Sequence, residues 1–259
     1  MNDGQTIIVT GVASGIGART VEVLKSQGAK VIGVDRNETD NCDTFFQADL
    51  SDPASISDLV AKLPAGADGL ANVAGLPPTA PAEQVIKVNI LGLREFTYAL
   101  VPRLAAGASI VNLASLAGFG WPDAVDQAKA TLELTLDGDI AGFCREHDLD
   151  APGGRSYFLS KEALIIWTMQ NRWTWRDRGI RMNSISPGPV DTPILPDFIE
   201  TLGERAEEDM RVMDRPGTPE DIAPVAAFLL SRSSAWIRGV NIPADGGMSS
   251  HILCGMHEL

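Results

Sequence analysis

The chain has 259 residues, a net charge of −13 at pH 7 and a hydrophobic fraction of 44%. That apolar content suits one α/β domain over residues 1–259, while the negative charge excludes nucleic acid and an anionic membrane surface, both of which require basic patches. No apolar run reaches the ~18 residues of a membrane span, the N-terminus carries no basic segment, and Cys42, Cys144 and Cys254 show no metal-ligand spacing, so a cytoplasmic protein with reduced thiols and no metal is expected.

Thr6 to Val9 is a short apolar run that reads as a buried strand. It leads into Thr10-Gly11-Val12-Ala13-Ser14-Gly15-Ile16-Gly17, then into residues 18–27, where Val21 and Leu24 recur at helical spacing. Strand, glycine turn and helix form the mononucleotide-binding half of a Rossmann fold. Gly11 permits the tight turn, Gly15 lets the backbone approach a pyrophosphate, and Gly17 lets the helix pack closely. Free N–H groups at the helix start, from Ser14 through Ile16, favour the diphosphate. An ordinary tight turn also tolerates glycine, so this one takes its meaning from the residues downstream of it. Residues 30–34 are a second buried strand, ending at Asp35. An acid about 20 residues past the turn accepts hydrogen bonds from both ribose hydroxyls and repels a 2′-phosphate, which favours NAD over NADP. Arg36 is the one hint in the other direction.

Residues 45–48 give a third strand, and Ser51-Asp52-Pro53 opens a helix. Residues 69–73 are a fourth strand, leaving through Ala74-Gly75 into a proline-rich apolar loop, residues 76–81, where a substrate enters. Residues 83–106 read mostly as one helix, irregular near Asn89 and Gly92. Residues 108–113 are continuously apolar, as a central parallel strand is, and deliver Ser115 to the carboxyl end where open α/β sheets bind ligands. Residues 121–155 are acidic but neither Gly/Ser-rich nor of low complexity; they read as an inserted helical segment that remodels a subunit interface or roofs the pocket, with His147 at the surface. Tyr157 and Lys161 lie four apart at the start of a helix reaching to about residue 178 and share one face. Trp167, Trp173 and Trp175 on that helix read as packing or subunit contacts. Residues 181–186 are a sixth strand, which exits through Pro187-Gly188-Pro189-Val190-Asp191-Thr192. Within residues 189–213 lies a lid with Ile194, Leu195, Phe198, Ile199 and Leu202 on its apolar part. A helix from residue 219 and a strand at 239–243 complete a doubly wound α/β fold.

Thr10-Gly11-x-x-x-Gly15-x-Gly17, Asp49-Leu50, Asn72-x-Ala74-Gly75, Val88-Asn89, Ser115, Tyr157-x-x-x-Lys161 and Pro187 to Thr192 occur in that order. In this combination the chain resembles the short-chain dehydrogenases/reductases along essentially its whole length. The resemblance implies a single-domain Rossmann-type parallel sheet and an NAD cofactor. It places Asp49 and Leu50 by the adenine, Asn72 bracing the sheet on the cofactor side, and Ala74-Gly75 leaving room for the cofactor. It puts Pro187, Gly188, Val190 and Thr192 on the nicotinamide side, and Asn89 beside a water that relays protons from Lys161. Two departures stand out: Val73 replaces the motif's second Asn, and Tyr157 follows Ser115 much later than usual. Residues 31–37, 161–167 and 236–243 resemble a branch with such a lengthened segment, whose members oxidise aryl-allylic alcohols or hydroxysteroids.

The residues suggest the same chemistry independently. Alcohol oxidation needs a base for the hydroxyl proton. A free phenol titrates near 10, too high for neutral pH. Lys161 on the same helix face is expected to lower Tyr157, and Ser115 to steady the developing alkoxide. The apolar loops favour a flat apolar alcohol or ketone over a sugar, and Asp35 weighs against an NADPH-using ketoacyl reductase. A non-catalytic dinucleotide sensor is the alternative from another class. Apolar surface on residues 83–106 and 156–178 suggests a homo-oligomer, a dimer or tetramer.

Overall fold

The computed structural model describes residues 1–259, apart from the side chains of residues 205–207 and 209. Seven strands form one parallel sheet: β1 (Thr6–Thr10), β2 (Lys30–Asp35), β3 (Thr44–Gln47), β4 (Ala67–Asn72), β5 (Leu104–Leu113), β6 (Arg181–Pro187) and β7 (Asn241–Ala244). Their order is β3-β2-β1-β4-β5-β6-β7. The order reverses between β1 and β4, which opens a crevice at their carboxyl ends. Ile8 pairs with Ile32 of β2 and Leu70 of β4. Successive side chains point to opposite faces, so Ile8 and Ile32 enter one core while Ile7, Val9 and Val31 enter the other. Both faces are covered, which is why these strands read as unbroken apolar runs.

Helices α1 (Gly15–Ser26), α2 (Pro53–Lys62), α3 (Ala82–Ile86), α4 (Leu93–Leu100), α5 (Val125–Glu133), α6 (Ile140–Glu146), α7 (Arg155–Gln170), α8 (Leu195–Leu202), α9 (Glu204–Val212), α10 (Pro219–Leu230) and α11 (Met248–His257) follow in chain order. α1 and α10 cover one face through Val21, Leu24, Ile222 and Ala226. α2, α4 and α7 cover the other through Ile56, Phe96 and Leu164. No described helix is long and apolar enough to cross a membrane.

Three expectations are corrected. The helix expected over residues 83–106 stops at Leu100, because Pro102 has no N–H to give the carbonyl of Tyr98. β5 then starts at Leu104, where it pairs with Ala67. The irregularity near Asn89 and Gly92 is a π-helical turn over Lys87–Gly92. A Cβ on Gly92 would stand 1.7 Å from the carbonyl oxygen of Leu50, so only glycine fits.

α7 ends at Gln170 rather than near residue 178, where Asn171 Nδ2 donates to the Trp167 carbonyl at 2.8 Å. Trp167 is buried and its Nε1 donates to Tyr98 Oη at 2.9 Å; Trp175 meets the same tyrosine edge-on. Both are packing residues. Trp173 lies beyond the helix and is exposed, with Arg172 over its ring.

The inserted segment forms α5 and α6, packed against α7 and α3. Its Ala128, Leu136, Ile140, Phe143 and Cys144 are buried in the same core as Phe96 and Leu164. Arg94 of α4 ties it down by donating to the carbonyls of Leu132 and Leu134. No residue of 121–155 lines the two cavities described below, so the segment is not a pocket roof. His147 is partly exposed and packs against Phe143, ring centroids 4.2 Å apart.

Candidate active site

A groove of about 410 Å³ follows the crevice between β1 and β4. Gly11, Ser14, Gly15, Ile16 and Gly17 form its floor, Asp35 and Arg36 one end, and Asp49 and Leu50 the side. Ala74, Gly75 and Thr192 close it. The three glycines act differently. A Cβ on Gly17 would stand 1.9 Å from the Gly11 carbonyl oxygen, so α1 sits directly against the turn rather than against the strand. Gly11 has φ +75° and would drive a Cβ into the Ala74 nitrogen at 2.7 Å. Gly15, at φ +53°, has only Thr192 and Pro193 side chains near it.

Ser14 caps α1 with extended backbone and makes no side-chain cap bond, and no acid occupies the first turn. Helix dipole, free N–H groups and an uncommitted hydroxyl therefore face the groove. Asp35 is pinned at the edge: Oδ2 accepts from Ala13 N at 3.0 Å and Oδ1 from Asn37 N at 2.9 Å. Each oxygen keeps a further lone pair for a ribose hydroxyl. Asp49 Oδ1 accepts from both Ser51 N and Ser51 Oγ. Thr10 Oγ1 accepts from Val73 N and Ala74 N, at 3.0 and 3.1 Å, and holds the exit of β4 in place. These features fit a dinucleotide: an anion site at one helix start, and an acceptor for a diol one strand away.

Asn72 is not on the groove wall. It is buried, and its Nδ2 donates to Thr97 Oγ1 and Asn112 Oδ1. Asn112 Nδ2 donates in turn to Thr168 Oγ1 at 3.0 Å, linking the sheet to α4 and α7. Asn72 is thus a sheet brace, and the cofactor role expected of it is corrected.

A second cavity, about 480 Å³, adjoins the groove, the two sharing Ile16, Gly75, Leu113 and Thr192. Ser115 reaches it from the end of β5, and Tyr157 and Lys161 from the first turns of α7. Ser115 Oγ accepts from Ala117 N at 3.1 Å and is hydrogen-bonded to the Tyr157 hydroxyl. Tyr157 packs edge-on against Phe198, centroids 4.9 Å apart. Lys161 Nζ donates to the Leu113 carbonyl at 2.8 Å and lies 5.4 Å from the Tyr157 ring centroid.

Burial dominates the titration of both groups. It pushes the Tyr157 phenol above its ordinary value, with the Ser115 hydrogen bond pulling the other way. It pushes Lys161 down to about 8. The lowering expected from Lys161 is not what sets the Tyr157 phenol: desolvation of the phenolate raises it, and the opposing pull comes from Ser115. Lys161 is charged in the unfolded chain up to pH ~10.5 but loses its proton from about pH 8 in the fold, so its burial destabilises below pH 8 and that cost fades as pH rises to ~10.5. Lys161→Met is expected to raise stability at pH 7 by up to about 3 kcal/mol, with the gain vanishing near pH 10.5. Urea unfolding at several pH values measures this; a pH-independent difference would contradict it.

Asn89 is fully buried and lies on neither cavity wall. Its Oδ1 accepts from Leu76 N at 2.7 Å, and Nδ2 donates to Leu76 O and Ser160 Oγ. The side chain pins the loop after β4 to α7, beside Gly75, whose Cβ would stand 3.8 Å from Lys161 Nζ. Asn89 is thus a positioning residue, and its side chain is already committed. Pro187, Gly188 and Val190 line the second cavity, and Thr192 Oγ1 donates to the Val190 carbonyl at 3.2 Å. Ile194, Leu195, Phe198, Ile199 and Leu202 all line it. Thr79 joins the loop at 76–81 to α8 through a hydrogen bond to Asp197.

Sequence reasoning missed Phe119, Phe158, Glu162, Met210 and Ile252 on this wall. Phe158 and Glu162 each follow a catalytic candidate by one residue, a signal that was available. Ile252 comes from α11, and nothing local marks it.

The family model described as short chain dehydrogenase matches residues 5–125, and the one described as Enoyl-(Acyl carrier protein) reductase matches residues 146–249. The stretch between the matches contains most of α5 and α6. Coniferyl-alcohol dehydrogenase of Pseudomonas sp. (strain HR199 / DSM 7063) is 44% identical over 253 residues, covering 94% of this chain and 96% of that protein. The 3-alpha-hydroxysteroid dehydrogenase/carbonyl reductase of Comamonas testosteroni is 32% identical, with 94% and 96% covered. Among solved structures, 3-alpha-hydroxysteroid dehydrogenase from Pseudomonas sp. B-0831 complexed with NADH superposes with TM-score 0.82 at 30% identity, covering 96% of this chain and 98% of that one. With the sheet order, the glycine turn and the Ser115–Tyr157–Lys161 cluster, these likenesses over nearly full length assign the chain to the short-chain dehydrogenase/reductase family.

Proposed function

We propose that the protein is an NAD-dependent oxidoreductase interconverting an aryl-allylic alcohol of the coniferyl type and its carbonyl compound. The observation that carries this reading is one apolar cavity in which Ser115, Tyr157 and Lys161 meet at the mouth of a dinucleotide groove. The 44% identity to a coniferyl-alcohol dehydrogenase supports the substrate class. Gly11 to Gly17 would hold the pyrophosphate and Asp35 the adenosine ribose, while Val190 and Thr192 lie where the nicotinamide end would rest. When bound, the nicotinamide accepts hydride from the carbinol carbon.

The chain's own residues manage the oxygen. Ser115 Oγ donates to the substrate oxygen and steadies its developing charge. Tyr157 Oη takes the hydroxyl proton, and Lys161 Nζ supplies the positive field that favours the phenolate as water leaves the cavity. Asn89 fixes the loop bordering Lys161, and the proton leaves past that loop to solvent. The hydroxysteroid reading has its own support in the 0.82 superposition, and the same residues would serve it. A dinucleotide sensor needs none of the three to meet in one cavity.

NADH formation with coniferyl alcohol, cinnamyl alcohol and androsterone tests the reading. Turnover of the aryl alcohols is expected; turnover of androsterone alone moves the protein to the steroid branch, and silence with NAD bound favours the sensor. In the same assay Asp35→Ala is expected to cut the NAD/NADP ratio of kcat/KM by about 10- to 100-fold, the value of hydrogen bonds to a charged acceptor. An unchanged ratio would count against the ribose role. A homo-oligomer is proposed from the exposed Trp236, Trp173 and Val240; a mass of 27.6 kDa by light scattering would contradict it. A cytoplasmic setting accords with the three free cysteines.

A further inference from the structure

Among the described residues, five polar side chains line the catalytic cavity, and four have a use in the reaction above: Ser115, Tyr157, Lys161 and Thr192. The fifth is Glu162, the one acid on that wall among the described residues. Its side chain is 5% exposed. A carboxylate at an apolar wall is costly unless its oxygens are matched. Arg155 matches it in part: Nη1 donates to Oε1 at 3.0 Å, and Nη2 lies 2.7 Å from Oε2. Arg155 is held in turn by Gln127 of α5, whose Oε1 accepts from Nε at 3.2 Å and Nη2 at 2.5 Å. The inserted segment therefore reaches the cavity indirectly, by orienting the arginine that orients the acid.

A carboxylate offers about four acceptor sites, and one guanidinium approaching from one side leaves the rest unused. Gly120 is also on the cavity wall, and a Cβ there would stand 3.3 Å from Glu162 Oε1. The missing side chain leaves that oxygen room for a ligand atom. Tyr157 and Glu162 lie five residues apart on α7, about 7.5 Å along its axis. That rise is of the order of a phenyl ring plus a short side chain, and Phe158 lines the same cavity.

We propose that Glu162 is a specificity-determining residue that accepts a hydrogen bond from a ring hydroxyl at the far end of the substrate, so that hydroxyphenyl alcohols are the preferred class. This rests on the aryl-alcohol reading above. A phenol is neutral at pH 7 and donates to a carboxylate, whereas the corresponding ether has nothing to donate.

Initial rates with NAD test the assignment on three alcohols: coniferyl alcohol, its ring O-methyl ether and cinnamyl alcohol. The wild type is expected to favour coniferyl alcohol over the ether by about 10- to 100-fold in kcat/KM, mostly through KM. Glu162→Gln preserves volume but removes the charge and one of the two acceptor oxygens facing Arg155; it is expected to cost about 10-fold on coniferyl alcohol and less than about threefold on cinnamyl alcohol. A wild type indifferent to the ether, or a variant that slows all three alcohols equally, overturns the role of Glu162 and leaves the aryl-alcohol reading intact. Turnover of androsterone with none of the three alcohols oxidised overturns both. The ether comparison needs no variant, so a poorly folding substitution does not spare the assignment.

Discussion

Tyr157→Phe is expected to lower kcat by about 10³-fold or more while NADH binding, followed by fluorescence titration, is unchanged, because general-base removal alone is worth 10²–10⁴ and the hydroxyl also anchors the substrate oxygen. The ring itself does structural work against Phe198, and phenylalanine keeps that contact. What disappears is the hydroxyl bonded to Ser115 and facing the cavity. Burial favours the protonated phenol, so in the proposed reaction Tyr157 depends on the positive charge of Lys161 to act as a base. Turnover within tenfold of wild type would remove Tyr157 from the reaction.

Gly17→Ala is expected to cost about 3 kcal/mol of stability or more, and to abolish NADH binding in the folded fraction. The added Cβ would stand 1.9 Å from the carbonyl oxygen and 2.6 Å from the carbonyl carbon of Gly11. Both are backbone atoms, so no rotamer change relieves the clash. α1 must move away from the turn, and the groove floor moves with it. Gly66→Ala is the control: φ is +88° there and nothing stands within 4 Å, so only local backbone strain of about 1 kcal/mol is expected. Urea unfolding of the two variants separates clash from strain; equal losses would contradict the packing argument.

What could be read from the sequence was what neighbouring residues decide together. The glycine turn, Asp35 at a strand end, Ser115 at the next and the four-residue step from Tyr157 to Lys161 are local patterns, and the sheet brings them to one crevice. Pro102 was readable too, yet the apolar periodicity of residues 83–106 concealed the break. Long-range facts were not available: Ile252 on the cavity wall, the burial of α5 and α6 in the main core, and the bonds from Asn89 to Leu76. The titration of Tyr157 went astray for a related reason. A charge partner can be seen in sequence, but the desolvation opposing it depends on everything packed around the site.

Deuterium transfer tests the proposed reaction most directly. The protein is incubated with NAD and coniferyl alcohol dideuterated at the carbinol carbon, and the NADH is analysed by mass spectrometry. One deuterium per NADH, in step with aldehyde formation and lost in Tyr157→Phe, is the predicted result. NAD bound in the groove with no deuterium transferred from this alcohol would contradict the proposed reaction.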